Sequence, residues 1–250
     1  MTGIGRQWRP ALRAAHIVWA ALIPAVAAAG DLSVDPVRIE LSPQQQVASV
    51  NIRNNSDQPT TIQIEATAWS QLDGKDVYTP TRELLISPPI ITIAPKSEQV
   101  IRSALRRKAD TSTELTYRIY LQELPSQPVP GFKGVQVTLR IGLPVFVKPQ
   151  KLKATPKMLW TISAAPDNSL KVALQNQGSA HVQVSDFALY DVGNDKPIGG
   201  ESGLNYILAG QMHEWLIKTD PSKTITGGSL RLTAHTDAGN VDIELPVGTP

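Results

Sequence analysis

From residue 31 onward the chain is a succession of short runs in which apolar residues take every second position, with turn residues between them. A two-residue period puts alternate side chains on one face of an extended strand, and no run here sustains a repeat near 3.6 residues. The pattern predicts an all-β chain. In Asp31 to Leu41, Leu32 and Val34 share one phase while Val37, Ile39 and Leu41 share the other, with Pro36 at the change. That spacing predicts an edge strand that bends and passes from one sheet to another.

Further runs cover Val47 to Arg53, Thr60 to Trp69, Glu98 to Leu105 and Glu114 to Glu123. Glu83 to Ile93 is broken by Ser87-Pro88-Pro89, which predicts two short strands around a proline corner and suits a cis bond before Pro88. Gly134 to Leu143 follows, with Val135, Val137, Leu139, Ile141 and Leu143 alternating with small or polar residues. About seven strands at this spacing fit an immunoglobulin-like sandwich. The polar, proline-interrupted Lys148-Pro149-Gln150-Lys151 places a domain boundary near residue 150. Beyond it, runs at Met158 to Ala164, Ser169 to Gln175, Val182 to Tyr190, Glu214 to Lys218, Ser229 to Thr236 and Asn240 to Leu245 predict a second sandwich.

The first thirty residues differ. Arg6, Arg9 and Arg13 precede an apolar run from Ala14 that ends in Ala27-Ala28-Ala29, the three parts of a secretory signal peptide over residues 1–29. Its removal takes away three arginines and no acid, moving the net charge from +2 to −1. A near-neutral chain without a basic run gives no electrostatic reason to expect nucleic acid as partner. There are no cysteines, so an exported chain of this kind is held by core packing alone. His181, His213 and His235 are widely spaced and form no metal-ligand pattern, and no nucleophile elbow, phosphate loop or dinucleotide fingerprint occurs. No enzyme, metal or cofactor is therefore expected.

Two features invite a binding function. Trp69, Trp160 and Trp215 with Tyr120 and Tyr190 could form a sugar platform, as in a secreted two-domain adhesin or carbohydrate-binding module, or fill cores. Arg38, Arg118 and Arg140 lie on the first, penultimate and last strands of the first half. Each could pair with a neighbouring carboxylate, or together they could converge on a cleft and hold a carboxylate from a bound chain. The strand from Val135 to Leu143 likewise has two readings: internal to its own sandwich, or offered at an edge to another chain.

Several segments together resemble the periplasmic pilus-assembly chaperones of the chaperone/usher pathway, the PapD-like family. They are Val34-Asp35-Pro36-Val37-Arg38-Ile39, Ser87-Pro88-Pro89, Tyr120-Leu121-Gln122-Glu123-Leu124-Pro125 and Leu143-Pro144-Val145-Phe146-Val147-Lys148-Pro149, with weaker support from Tyr206-Ile207-Leu208-Ala209-Gly210-Gln211. The resemblance implies two immunoglobulin-like β-sandwich domains in an L-shaped arrangement, residues 30–149 and 150–250. It also implies a periplasmic location, pilus or fimbrial subunits and an outer-membrane usher as partners, and function by donor-strand complementation. Val135, Val137, Leu139 and Ile141 would then fill the subunit's groove, contributing about 6 to 12 kcal/mol before association costs.

In that family an arginine on the first strand and a lysine late in the last strand hold the subunit's terminal carboxylate. Arg38 matches the first, but Pro144 stands where the lysine would be, which is more similar to the archaic branch of the family. The resemblance thus points to Arg118 and Arg140 as alternative anchors, with Arg102 and Lys148 as structural ion-pair members. A free apolar edge also suggests a self-capped homodimer.

Overall fold

The computed structural model describes residues 32–125, 137–151, 153–193, 195–219 and 228–249. Among these there is no helix. The predicted signal segment and Val135 lie outside them. The first half contains β1 (Leu32–Asp35), β2 (Ile39–Leu41), β3 (Val47–Asn54), β4 (Thr60–Leu72), β5 (Lys75–Pro80), β6 (Leu84–Ser87), β7 (Ile90–Ile93), β8 (Glu98–Leu105), β9 (Leu115–Glu123) and β10 (Arg140–Val147). One sheet runs β1-β3-β8-β6; the other runs β2-β10-β9-β4-β5, with β7 on β4. The second half contains β11 (Met158–Ala165), β12 (Ser169–Asn176), β13 (Val182–Asp191), β14 (Pro197–Ile207), β15 (Met212–Lys218), β16 (Ser229–Thr236) and β17 (Val241–Gly248), ordered β14-β13-β16-β17-β11-β12-β15. Both halves are immunoglobulin-like sandwiches.

Alternation sets the faces. In β3, Ala48, Val50, Ile52 and Asn54 are buried while their neighbours are exposed. The change of phase at Pro36 is a change of sheet: Val34 pairs antiparallel with Ile52 of β3, and Ile39 pairs parallel with Val145 of β10. Pro36 has no N–H to continue a ladder. The Asp35–Pro36 and Ser87–Pro88 bonds are both cis, the second as expected. Val37, expected to share the phase of Ile39, is exposed because β2 begins only at Ile39.

Two strands were not expected. β4 turns back into β5 through Asp73 and Gly74, both at positive φ, the backbone of a tight hairpin. β14 reads as loop because it holds Pro197, Gly199, Gly200 and Gly203. Gly200 lies against the Phe187 carbonyl of β13 so closely that a Cβ would collide with it, and glycine permits that approach.

Each sandwich has its own core, around Ile39, Val50, Ile62, Ile119 and Val145 in the first and Trp160, Val172, Phe187 and Leu232 in the second. A third, smaller core joins Trp69 and Phe146 of the first half to Leu208 of the second, with Tyr78 and Tyr206 at its margin. The halves also share a device. Asn54 ends β3 and Asn176 ends β12, both fully buried. Asn54 Nδ2 donates to the carbonyls of Gln58, Ile93 and Ala94, and Asn176 Nδ2 to those of Ala180, Ile207 and Leu208. Each side-chain oxygen accepts from the backbone N–H two residues on. One amide thus closes a turn and pins the end of another strand in both sandwiches.

Candidate functional site: strand β10 and the cleft beside it

β10 pairs antiparallel with β9 along its whole length, from Arg140 opposite Gln122 to Val147 opposite Leu115. On its other edge β2 covers only Val145–Val147. Among the described residues, Arg140 to Pro144 therefore have one edge with no strand partner. The strand begins at Arg140, later than the alternation from Val135 predicts, and runs on past Leu143, where Val145 and Val147 continue the phase of Ile141 and Leu143 behind the apolar Phe146. Leu143, Val145 and Val147 are buried in the first core, and Ile141 packs against it.

The other expected groove-fillers lie outside this strand. Val137 precedes the ladder and is 79% exposed. Leu139 is half-buried; its N–H donates to the Glu123 carboxylate at 3.0 Å and its carbonyl accepts from the Glu123 N–H at 2.9 Å.

The opposite face of β10 carries Arg140, Gly142, Pro144 and Phe146. Gly142 and Pro144 of that face, with Arg118 of β9, form one wall of a cleft of about 720 Å³. Val37, Arg38 and Asp76 contribute from the first half, and Tyr206, Asn205 and Asp237 from the second. Gly142 lets two β9 side chains lie close to the strand: a Cβ would stand 3.0 Å from Arg118 Nε and 3.2 Å from Tyr120 Cε1, so both would have to give by a few tenths of an ångström.

The three arginines differ in what they meet. Arg38 is paired with Asp237 at 2.9 Å and Glu40 at 3.4 Å, so its charge is already answered. Arg118 lines the cleft without an ion pair among the described residues. Its Nη1 donates to the Tyr78 hydroxyl at 2.6 Å, its guanidinium lies over the Trp69 and Tyr78 rings, and its Nε is buried without a partner. Arg140 is exposed and stacks over the Tyr120 ring at 4.0 Å. Lys148 pairs with Glu40 at 2.7 Å, and that hydrogen bond holds the Glu40 carboxyl below its usual range against the opposing effect of burial. Arg102 is exposed and forms no ion pair among the described residues, unlike the expectation for it.

Polar groups on both sandwiches fix the joint beside the cleft. Gln71 donates from Nε2 to the Tyr206 carbonyl at 2.7 Å and accepts from the Leu208 N–H at 3.0 Å, standing in for a peptide unit between the sandwiches. Glu114 accepts from the His181 N–H at 2.9 Å and contacts its Nδ1 at 2.6 Å, while His181 Nε2 lies 3.4 Å from Asp237. The imidazole stacks on Phe146 at 3.5 Å. Burial alone would lower the His181 pKa, but Asp237 and Glu114 outweigh it and hold it above the ordinary histidine value. Asp73-Gly74 is the one sequence signal for the hairpin bearing Asp76 and Tyr78; no local pattern marks Gln71, and His181 stands out in the sequence only as a histidine without metal-ligand spacing.

The aromatic residues do not form an exposed platform. Trp69, Trp160 and Trp215 are all buried in cores.

Residues 31–153 match the family model of the pili and flagellar-assembly chaperone, PapD N-terminal domain. This first sandwich belongs to the PapD chaperone family. No curated protein sequence matches the chain. Solved PapD-like structures are similar over both sandwiches. The chaperone–tip adhesion subunit pre-assembly complex from the archaic chaperone-usher Csu pili of Acinetobacter baumannii matches with a TM-score of 0.63 at 17% identity, over 88% of this chain and 100% of the matched one. The Pseudomonas aeruginosa CupB2 chaperone matches with a TM-score of 0.55 at 18% identity, over 86% and 100%. The Salmonella enterica SafA pilin in complex with the SafB chaperone matches with a TM-score of 0.56 at 16% identity, over 87% and 95%. At these identities the likeness is one of fold, and it extends the PapD-type architecture through the second sandwich.

Proposed function

We propose that the protein is a periplasmic pilus-subunit chaperone, exported by residues 1–29, that caps an incomplete subunit by donating β10 and the segment before it. Residues 30–149 form the donating domain and 150–250 its companion. The observation that carries this is the edge of Arg140 to Pro144, which no strand among the described residues covers, continuing into the exposed Val137. A subunit strand laid along that edge would gain main-chain hydrogen bonds, while Val135, Val137, Leu139 and Ile141 supply the apolar side chains that set register. Arg118 receives the subunit's terminal carboxylate in the cleft, with Arg140 and Arg38 contributing charge on either side. The capped subunit then passes to an outer-membrane usher.

Co-expression with a fimbrial subunit should give a stoichiometric complex. Val137→Asp combined with Leu139→Asp should abolish it while thermal unfolding of the chaperone is unchanged; an intact complex would overturn strand donation. In the absence of subunit the same edge favours a self-capped homodimer, and sedimentation showing only monomer would remove that part.

A further inference from the structure

Arg118 and Arg38 line the same cleft and are oriented by different kinds of partner. Two carboxylates neutralise Arg38 directly. Arg118 is instead held by a phenol: Tyr78 Oη lies 2.6 Å from Arg118 Nη1 and 2.8 Å from Asp76 Oδ2. Asp76 is in turn fixed through Oδ1, which accepts from Trp69 Nε1 at 3.0 Å and Gln71 Nε2 at 2.9 Å. Gln71 uses the same Nε2 on the Tyr206 carbonyl of the second sandwich.

A hydroxyl that donates to Asp76 can only accept from Arg118, so the proton order of the relay is set. Burial, and then the bond to Asp76, raise the Tyr78 pKa well above the ordinary phenol value, and the hydroxyl keeps its proton. The Tyr78 ring also fixes its own position, 6.2 Å from Trp69 and edge-on to Tyr120 at 5.8 Å. The guanidinium thus has a fixed direction, and the nearest carboxylate in its network lies one hydroxyl away.

We infer that Tyr78 is a positioning residue for carboxylate capture: it orients Arg118 while separating it from Asp76, so that the cleft offers an aimed and un-neutralised guanidinium to an incoming carboxylate. This rests on the assignment of Arg118 as the anchor. Without the hydroxyl, Arg118 and Asp76 are free to pair directly, and the site fills itself with its own carboxylate. The damage would then come from the charge of Asp76 and not from lost packing, because phenylalanine retains the ring.

The test uses the mature chain and two small probes, acetate and its neutral analogue acetamide, following the Arg118 Nε–H resonance. Acetate should shift the wild-type resonance saturably and acetamide should not. Tyr78→Phe should move the acetate midpoint to at least about tenfold higher concentration, the loss expected for a charge-assisted bidentate contact. Adding Asp76→Asn to Tyr78→Phe should return it to within about threefold of wild type, a rescue that a packing role does not produce. Acetate binding unchanged in Tyr78→Phe, or unrescued in the double variant, would overturn the inference and leave the anchor standing. A wild-type resonance indifferent to acetate would remove the anchor and the inference together.

Discussion

Strands β10 and β17 close their sandwiches by the same plan. Each pairs antiparallel with the strand before it and is clamped at its far end by a parallel pairing to a strand from the start of its half, Val145–Val147 against the second strand β2 and Val247–Gly248 against the first strand β11. Their sequences treat the remaining edge differently. β17 alternates half-buried Val241, Ile243 and Leu245 with exposed Asp242 and Glu244, and Asp242 is held by Arg231 at 2.7 Å. Charges of that kind discourage pairing with another chain. β10 carries no acid, and from Leu143 to Val147 both its faces are buried, one in its own core and one toward the second sandwich. One final strand is protected, whereas the other is left available and made rigid from behind.

The largest test of that contrast is core truncation. Leu143→Ala should destabilise the protein by about 3 kcal/mol and Ile243→Ala by roughly half as much in urea unfolding, since only the first leaves a fully enclosed void. Equal losses would break the distinction. Asn54→Ala and Asn176→Ala should each cost about 2 kcal/mol, because several buried carbonyls and an N–H lose their partner at once. A large inequality would show that the shared device does unequal work in the two halves.

The joint between the sandwiches adds a pH dependence. Because its folded-state pKa is raised, protonated His181 contributes fully below its unfolded value of about 6.5, and the contribution is lost as pH rises through the raised value. Wild-type stability should fall over that interval relative to His181→Gln; parallel profiles would remove the clamp. The smallest stability effect is expected for Asp242→Thr with Glu244→Thr, within about 0.5 kcal/mol. Sedimentation should nevertheless reveal new self-association through β17, and none would mean that charge is not what protects that edge.

The fold was legible wherever one face of a strand is buried. Alternation located most strands, and Pro36 located the change of sheet. Where glycine replaces side chains, as at Gly199 and Gly200 of β14, periodicity has nothing to report and the strand was missed. The C-terminal part of β10 is hard to read from periodicity for the opposite reason: burial on both faces erases alternation after Leu143. Val50-Asn51-Ile52-Arg53-Asn54 and Val172-Ala173-Leu174-Gln175-Asn176 carry the same apolar alternation ending in asparagine, a short internal echo too brief to stand out without the buried amides. Of the site, the arginines were visible as isolated charges on strands. Their ranking was not, because it depends on partners distant in sequence: Asp237 for Arg38, and Tyr78 for Arg118.

Trp69, Phe146 and Leu208 form a core that belongs to neither sandwich alone. Swinging one half away from the other would expose the Trp69 and Phe146 rings to water and break the Gln71 bridge to Tyr206 and Leu208 in the same movement. The cleft therefore behaves mechanically as a fixed aperture and not as a jaw: a ligand must fit the opening that the hinge has already set.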